Sequence, residues 1–226
     1  SSPCNPSGSV FSREELKAIV DVVAPYSGIY IMSDEIYEHI NFTGKHVSIA
    51  SFPEIKDRTI VINGFSKAFA MTGWRLGYMA APAFIAEAVT KIQGQVTSGA
   101  NSIAQKAGVV ALNTDLKPTL EMTDAFRRRR DLIISLLKEI PGFKCNYPTG
   151  AFYIFPDISF YFGKSDGKTI IHNSDDFALF LLNKAHVATV GCSAFGDDNC
   201  FRISYAESEK QITEAVRRIK EGVLSL

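Results

Sequence analysis

The sequence has no apolar run approaching the roughly 20 residues that a membrane-spanning helix takes. Nor does it open on the charged-then-apolar pattern of a secretory signal. A cytoplasmic protein is the expectation. It also lacks an excess of charge: Lys plus Arg and Asp plus Glu stand at 24 each among 226 residues. A chain balanced in this way carries no long-range field that would recruit nucleic acid or a membrane surface, so neither is expected as a partner. Cysteine is sparse. Cys4, Cys145, Cys192 and Cys200 are scattered, without CxxC spacing or the density of a secreted disulfide scaffold, and read as buried free thiols. His39, His46, His172 and His186 show no ligand spacing with one another or with the cysteines, so no metal site is expected. What remains is an ordinary globular composition, 46% hydrophobic and 21% charged, long enough for one large domain or two modest ones.

Along the chain, residues 11–24 have the pattern of an amphipathic helix, with Ser12 as N-cap and Glu15 in the capping-box position. A short apolar run at 29–32 reads as a buried strand that delivers Ser33, Asp34 and Glu35 at its carboxyl end. A second run at 59–63 leads into Gly64-Phe65-Ser66-Lys67, and a third at 76–81 stops at Pro82. This order predicts an α/β domain with a mostly parallel sheet. The third strand follows too closely for a crossover helix and is expected to run antiparallel. Residues 83–112 read as helical with a break near 97–99, and a long helix is expected from 118 to 139, with Pro118 in its first turn. Beyond it the pattern predicts a strand at 151–155, a helix at 175–186, strands at 187–190 and 201–205, and a helix from about 208. The second part reads as a smaller α+β domain, with the boundary placed so that residues 1–116 form one domain and 117–226 the other.

The chemistry concentrates at a few positions. Ser66, Lys67 and Arg75 lie within one stretch containing glycines, where a hydroxyl and a guanidinium can surround a phosphate monoester, Arg75 bidentately. That leaves Lys67 free to act as an amine nucleophile. Asp34, at the end of a strand, can keep a ring nitrogen protonated. A charge pair at 4 Å is worth about 4 kcal/mol at an effective dielectric of 20, or roughly three pKa units. Tyr37, three residues on, can hydrogen-bond a phenolic oxygen, and Asn5 offers a second donor from a proline-restricted loop. In 201–204, alternation puts Phe201 and Ile203 on one face and Arg202 and Ser204 on the other, so Arg202 can hold a carboxylate. Arg127, Arg128, Arg129 and Arg130 point around most of a helix and read as a solvated face with partly buried stems.

In this order and spacing the motifs resemble fold-type I pyridoxal phosphate (PLP) enzymes, the class I and II aminotransferases, and in particular their bacterial aspartate aminotransferase branch. The Ser-Lys-Ala-Phe-Ala-Met-Thr-Gly-Trp-Arg-Leu-Gly-Tyr stretch is unbroken over 66–78, and the runs at 5–8, 33–37, 150–153 and 202–205 match the same family. The resemblance implies the latter part of a PLP-transferase large domain, with helices on both faces of its sheet, followed by a smaller C-terminal domain. It implies Lys67 as the Schiff-base lysine and proton shuttle, and Asp34 as the partner of the pyridine nitrogen. Asn5 and Tyr37 would contact the phenolic oxygen, Ser66 and Arg75 the phosphate, and Arg202 the substrate α-carboxylate. The implied reaction is ping-pong transfer of an amino group from an amino acid, aspartate first and aromatic ones next, to a 2-oxo acid such as 2-oxoglutarate. A homodimer is implied as well.

The likeness covers only the C-terminal part of the family's pattern. Its glycine-rich phosphate loop, the aromatic that stacks on the cofactor ring and the N-terminal arm have no counterpart between Ser1 and Leu226. An upstream part is therefore expected, and a three-stranded sheet would expose edges and apolar faces. Two other readings remain open at this level: a truncated PLP-fold module without catalysis, and a β-lyase or synthase on the same scaffold.

Overall fold

In the computed structural model, which describes residues 1–226, the first helix begins where its capping residues place it. Helix α1, Arg13–Val23, has Ser12 as N-cap. The Ser12 hydroxyl accepts from the Glu15 N–H, and the Glu15 carboxylate accepts from the Ser12 N–H at 2.7 Å. Such a cap contributes about 1 kcal/mol. Leu16 and Val20, one turn apart, pack with Ile49, Phe52 and Ile55. At the other end Arg58 donates to the carbonyls of Val23, Ala24, Tyr26 and Ile29, so one guanidinium satisfies oxygens the helix end leaves open.

Three strands follow. β1, Ile31–Asp34, runs parallel to β2, Thr59–Gly64, in the register Ile31↔Thr59 to Asp34↔Ile62. β3, Gly77–Ala80, pairs antiparallel with β2, as the short connection requires. The first strand starts later than its apolar run because the Ile29 N–H bonds back to Tyr26, closing a turn. β2 and β3 pair closely at Gly64↔Gly77, where a Cβ on Gly64 would lie 2.8 Å from the Gly77 Cα.

After β3 come α2, Ala83–Val96, and α3, Ser102–Asn113, separated at the expected break. Asn101 caps α3, its side-chain oxygen accepting from the N–H groups of Ile103 and Ala104. Ala104 joins Phe65, Met71 and Leu76 in a second core, and Gly108 sits so tightly there that a Cβ would meet Leu76 at 2.8 Å. With β1 and β3 both at edges, apolar surface is left open, including Met32 and Val96 at 70% and 72% exposure.

Helix α4, Lys117–Leu137, contains Pro118 in its first turn. The chain divides within this helix: Ser1–Cys4 with Val10–Thr123 form one unit, Asn5–Ser9 with Asp124–Leu226 the other. The division lies beyond residue 116 because the Thr119 and Thr123 hydroxyls donate to the carbonyls of Ala68 and His39, holding the first turns of α4 to the first unit.

The second unit is built on an antiparallel sheet ordered β4-β6-β5, from β4, Tyr153–Ile154, β5, Val190–Gly191, and β6, Phe201–Ser204. Helices α5, Ser174–Ala185, and α6, Glu209–Val223, accompany it, and Ser208 caps α6. Phe201 and Ile203 are buried while Ser204 is exposed, the alternation the sequence predicts. Two strands are shorter than expected. His186 and Ala151 both adopt left-handed backbone, φ 55 and 56, which delays extension until Val190 and Tyr153. Residues 5–9 join this unit because the Gly8 carbonyl accepts from the N–H groups of Thr149 and Gly150 at 2.8 Å, and the Asn146 amide donates to the Ser7 carbonyl at 2.7 Å.

Two expectations need correction. Arg130 is not part of a solvated face: it is buried, bonded to the Pro148 carbonyl at 3.1 Å and the Asp131 carboxylate at 2.8 Å. It stands one helical turn after buried Phe126, on the side of α4 that carries Ile133 and Ile134. All four cysteines are free, but only Cys192 is fully buried, and Cys4, Cys145 and Cys200 are half-buried. Burial nevertheless pushes the thiol of Cys145 up to about 11 and that of Cys200 to about 12.

The Gly64↔Gly77 contact predicts that Gly64→Ala destabilises the protein by about 1–3 kcal/mol, since the clash is with backbone. Gly73→Ala, where an added Cβ meets nothing within 4 Å, is the control. Urea unfolding midpoints should fall for the first and stay near wild type for the second.

Candidate active site

In open α/β sheets the carboxyl ends of the strands carry the ligand. Asp34 ends β1, and Ser66 and Lys67 follow β2 directly. The Asp34 side chain is turned by accepting from the Ile36 N–H at 3.1 Å, with its carboxylate exposed. Tyr37 is buried in the turn that follows, and the Lys67 Nζ lies 5.6 Å from the centre of its ring. Two of the expected residues are thereby brought together.

The loop from 65 to 76 fixes the others. Its ends are joined by the Phe65 N–H donating to the Leu76 carbonyl, and its middle by the Met71 N–H donating to the Phe65 carbonyl. Ala70 and Arg75 both take left-handed backbone, φ 52 and 53. The Thr72 hydroxyl donates to the Ser66 carbonyl at 2.9 Å, and Arg75 Nη1 donates to the Thr72 carbonyl at the same distance. Ser66 and Arg75 are thus tied through Thr72, a residue that sequence reasoning left without a role. Arg75 is exposed and borders an open cavity of about 890 Å³ together with Gly73, Trp74, Gly77 and Asn101.

Behind Asp34 lies a buried network that the sequence did not reveal. The Glu35 carboxylate accepts from the Ser48 hydroxyl at 2.7 Å and the Ser33 hydroxyl at 3.1 Å, and meets His46 Nε2 at 2.8 Å. Only the adjacency of Glu35 to Asp34 was visible in advance. The ligand atoms of Glu35, Glu38 and His46 fall within 4.8 Å of one another, but the Glu35 oxygens are engaged by these donors. His39, 3.3 Å from Glu38, holds the Glu38 carboxyl below its ordinary range. Burial, and then the charges of Glu38 and Glu35, push the Tyr78 hydroxyl up.

Asn5 and Arg202 belong to the second unit. Arg202 Nη1 donates to Asn5 Oδ1 at 2.7 Å. This bond fixes the amide of Asn5 and leaves its Nδ2 as the donor that the sequence reading required. The Arg202 guanidinium carbon lies 4.6 Å from the centre of the Tyr153 ring and 5.6 Å from that of Phe195. Neither ring was singled out from sequence. Tyr153 comes within reach because β4 places it opposite Ser204, two residues from Arg202 on the same face.

A family model for aminotransferase class I and II matches residues 1–219. The chain belongs to this family. The bifunctional aspartate aminotransferase and glutamate/aspartate-prephenate aminotransferase of Petunia hybrida is 49% identical over all of this chain and 48% of its own length. The aspartate aminotransferase of Pinus pinaster is 47% identical, again over all of this chain and 47% of its own. Among solved structures, the Rhizobium meliloti aspartate aminotransferase superposes with a TM-score of 0.92 at 42% identity, over 98% of this chain and 56% of that one. The chain therefore spans about half the length of the relatives it matches. The family's cofactor is PLP. The side chains present fit it: a lysine amine, an exposed carboxylate at a strand end, a tyrosine hydroxyl, and a serine and arginine tied into one loop.

Glu38 supplies a pH test. Its folded pKa lies below the ordinary value of 4.5, so its contribution is complete above 4.5 and is lost as pH falls through the lower folded value. Glu38→Gln should lower the urea midpoint at pH 7. The deficit should shrink steadily below pH 4.5 as the wild-type carboxylate protonates.

Proposed function

We propose that the protein containing this chain is a PLP-dependent aminotransferase that moves an amino group from an amino acid, aspartate or an aromatic one, to a 2-oxo acid such as 2-oxoglutarate. The observation that carries the reading is Lys67 over Tyr37 at the carboxyl ends of β1 and β2, beside the loop that ties Ser66 to Arg75. The names of the relatives, aspartate and aspartate/prephenate aminotransferases, support the same class of substrate. A dimer is part of the proposal.

When bound, PLP supplies an electron sink that weakens the bonds at the substrate Cα. The chain's own residues do the rest. Ser66 and Arg75 would hold its phosphate, Arg75 by charge-assisted hydrogen bonds. Asp34 would face the pyridine nitrogen and favour its protonated form. The Tyr37 hydroxyl would donate to the phenolic oxygen, as would Asn5 Nδ2, whose amide is oriented by the Arg202 bond. Arg202 binds the substrate α-carboxylate. Lys67 Nζ would take the Cα proton as general base.

The test is spectroscopic and kinetic. Added PLP should give the intact protein a visible absorption band that Lys67→Ala abolishes, while transamination falls about 10²- to 10⁴-fold. Aspartate with 2-oxoglutarate should yield oxaloacetate and glutamate. An intact protein with no such band would sink the proposal, and release of ammonia, pyruvate and sulfide from L-cysteine with no amino transfer from aspartate to 2-oxoglutarate would replace transfer by elimination.

A further inference from the structure

Arg202 poses a physical problem that its expected role does not solve. A guanidinium that is to meet a substrate carboxylate must be held in one orientation, yet it carries a long and flexible stem that costs entropy to fix. The usual partner for that task is an acidic side chain, which would itself occupy the fork and cancel the charge. Here the hydrogen-bond partner is the neutral Asn5 Oδ1, and the guanidinium carbon lies over two rings, Tyr153 and Phe195. Tyr153 is buried, its Cα opposite Ser204 in the β4–β6 ladder, which sets its ring beside Arg202 across the diagonal of the pair. Phe195 ends the 3-10 turn Ser193–Phe195 and is 43% exposed. Aromatic faces attract a cation without offering it an anion, so they orient the guanidinium while its charge stays available.

We propose that Tyr153 and Phe195 are positioning residues for Arg202, with Tyr153 the principal one: ring contact, not ion pairing, orients the guanidinium for the substrate carboxylate. The proposal rests on the aminotransferase reading. Its energetic expression is in carboxylate binding, which is similar in the ground and transition states, so KM changes and kcat does not. The ring, not the hydroxyl, is what matters.

The experiment compares wild type, Tyr153→Phe and Tyr153→Leu of the intact, PLP-loaded protein, using L-aspartate and 2-oxoglutarate. Tyr153→Leu should raise both KM values about 3- to 30-fold, with kcat within about 2-fold. Tyr153→Phe should restore both KM values to within about 2-fold of wild type. The Arg202 Nε–Hε resonance, assigned by its loss in Arg202→Lys, should carry a ring-current shift in wild type and Tyr153→Phe that disappears in Tyr153→Leu. If Tyr153→Leu does not accumulate as folded protein, Phe195→Leu, on an exposed ring, carries the test with an expected rise of about 2- to 5-fold.

Unchanged KM values in Tyr153→Leu, or a fall in kcat alone, overturn the inference while leaving the aminotransferase reading intact. A KM defect in Tyr153→Phe equal to that of Tyr153→Leu overturns it too, because the hydroxyl would then be responsible. Absence of any transamination in wild type removes the reading and this inference together.

Discussion

The approach of two backbones at Gly64 and Gly77 is the constraint on which the first unit depends. With no side chain on either residue, β2 and β3 come close enough for Phe65 to bond Leu76, and everything between them must close into one loop. Within it, Ala70 and Arg75 take left-handed backbone and Thr72 links Ser66 to Arg75. A third small residue, Gly108, lets α3 seat against the same Phe65 and Leu76. Ser66, Lys67 and Arg75, the three side chains proposed to act here, are therefore held on a segment whose conformation is over-determined, which is what precise chemistry asks of its support.

The second unit contains two arginines that make the opposite use of the same side chain. Arg130 is buried and saturated: a carbonyl, a neighbouring carboxylate and the Tyr147 ring at 4.3 Å leave it a structural role. Arg202 has an amide oxygen and two rings. The contrast follows from position. Arg130 lies on the core side of a long helix, where an unpaired charge is costly. Arg202 stands on the outward face of a sheet whose inward face, Phe201 and Ile203, carries the core.

Much of this was legible in the sequence because it is local. The capping box at Ser12 and Glu15, the break between α2 and α3, and the alternation in β6 depend on neighbours a few residues apart. The antiparallel third strand followed from loop length. What escaped was set at long range or by backbone conformation. The burial of Arg130 depends on the Pro148 carbonyl, and the shortened β4 and β5 depend on left-handed Ala151 and His186, residue types that give no warning of it. The domain division moved into α4 because two threonine hydroxyls found carbonyls far away in sequence. In the candidate site, the residues proposed to do chemistry could be named singly, while Thr72, which ties Ser66 to Arg75, the rings of Tyr153 and Phe195 beside Arg202, and the Ser48 and His46 partners of Glu35 emerge only with contacts between segments apart in sequence.

On the proposed role of Arg202 as the anchor of the substrate carboxylate, the way it is held has an environmental consequence. A cation steadied by an amide and by aromatic faces remains a full positive charge toward the medium. Chloride, acetate or phosphate can approach it as a substrate carboxylate does, and each does so in proportion to its concentration. Apparent substrate affinity then becomes partly a property of the buffer. The arrangement trades the selectivity of a pre-paired fork for readiness to accept any carboxylate that the remainder of the site can orient.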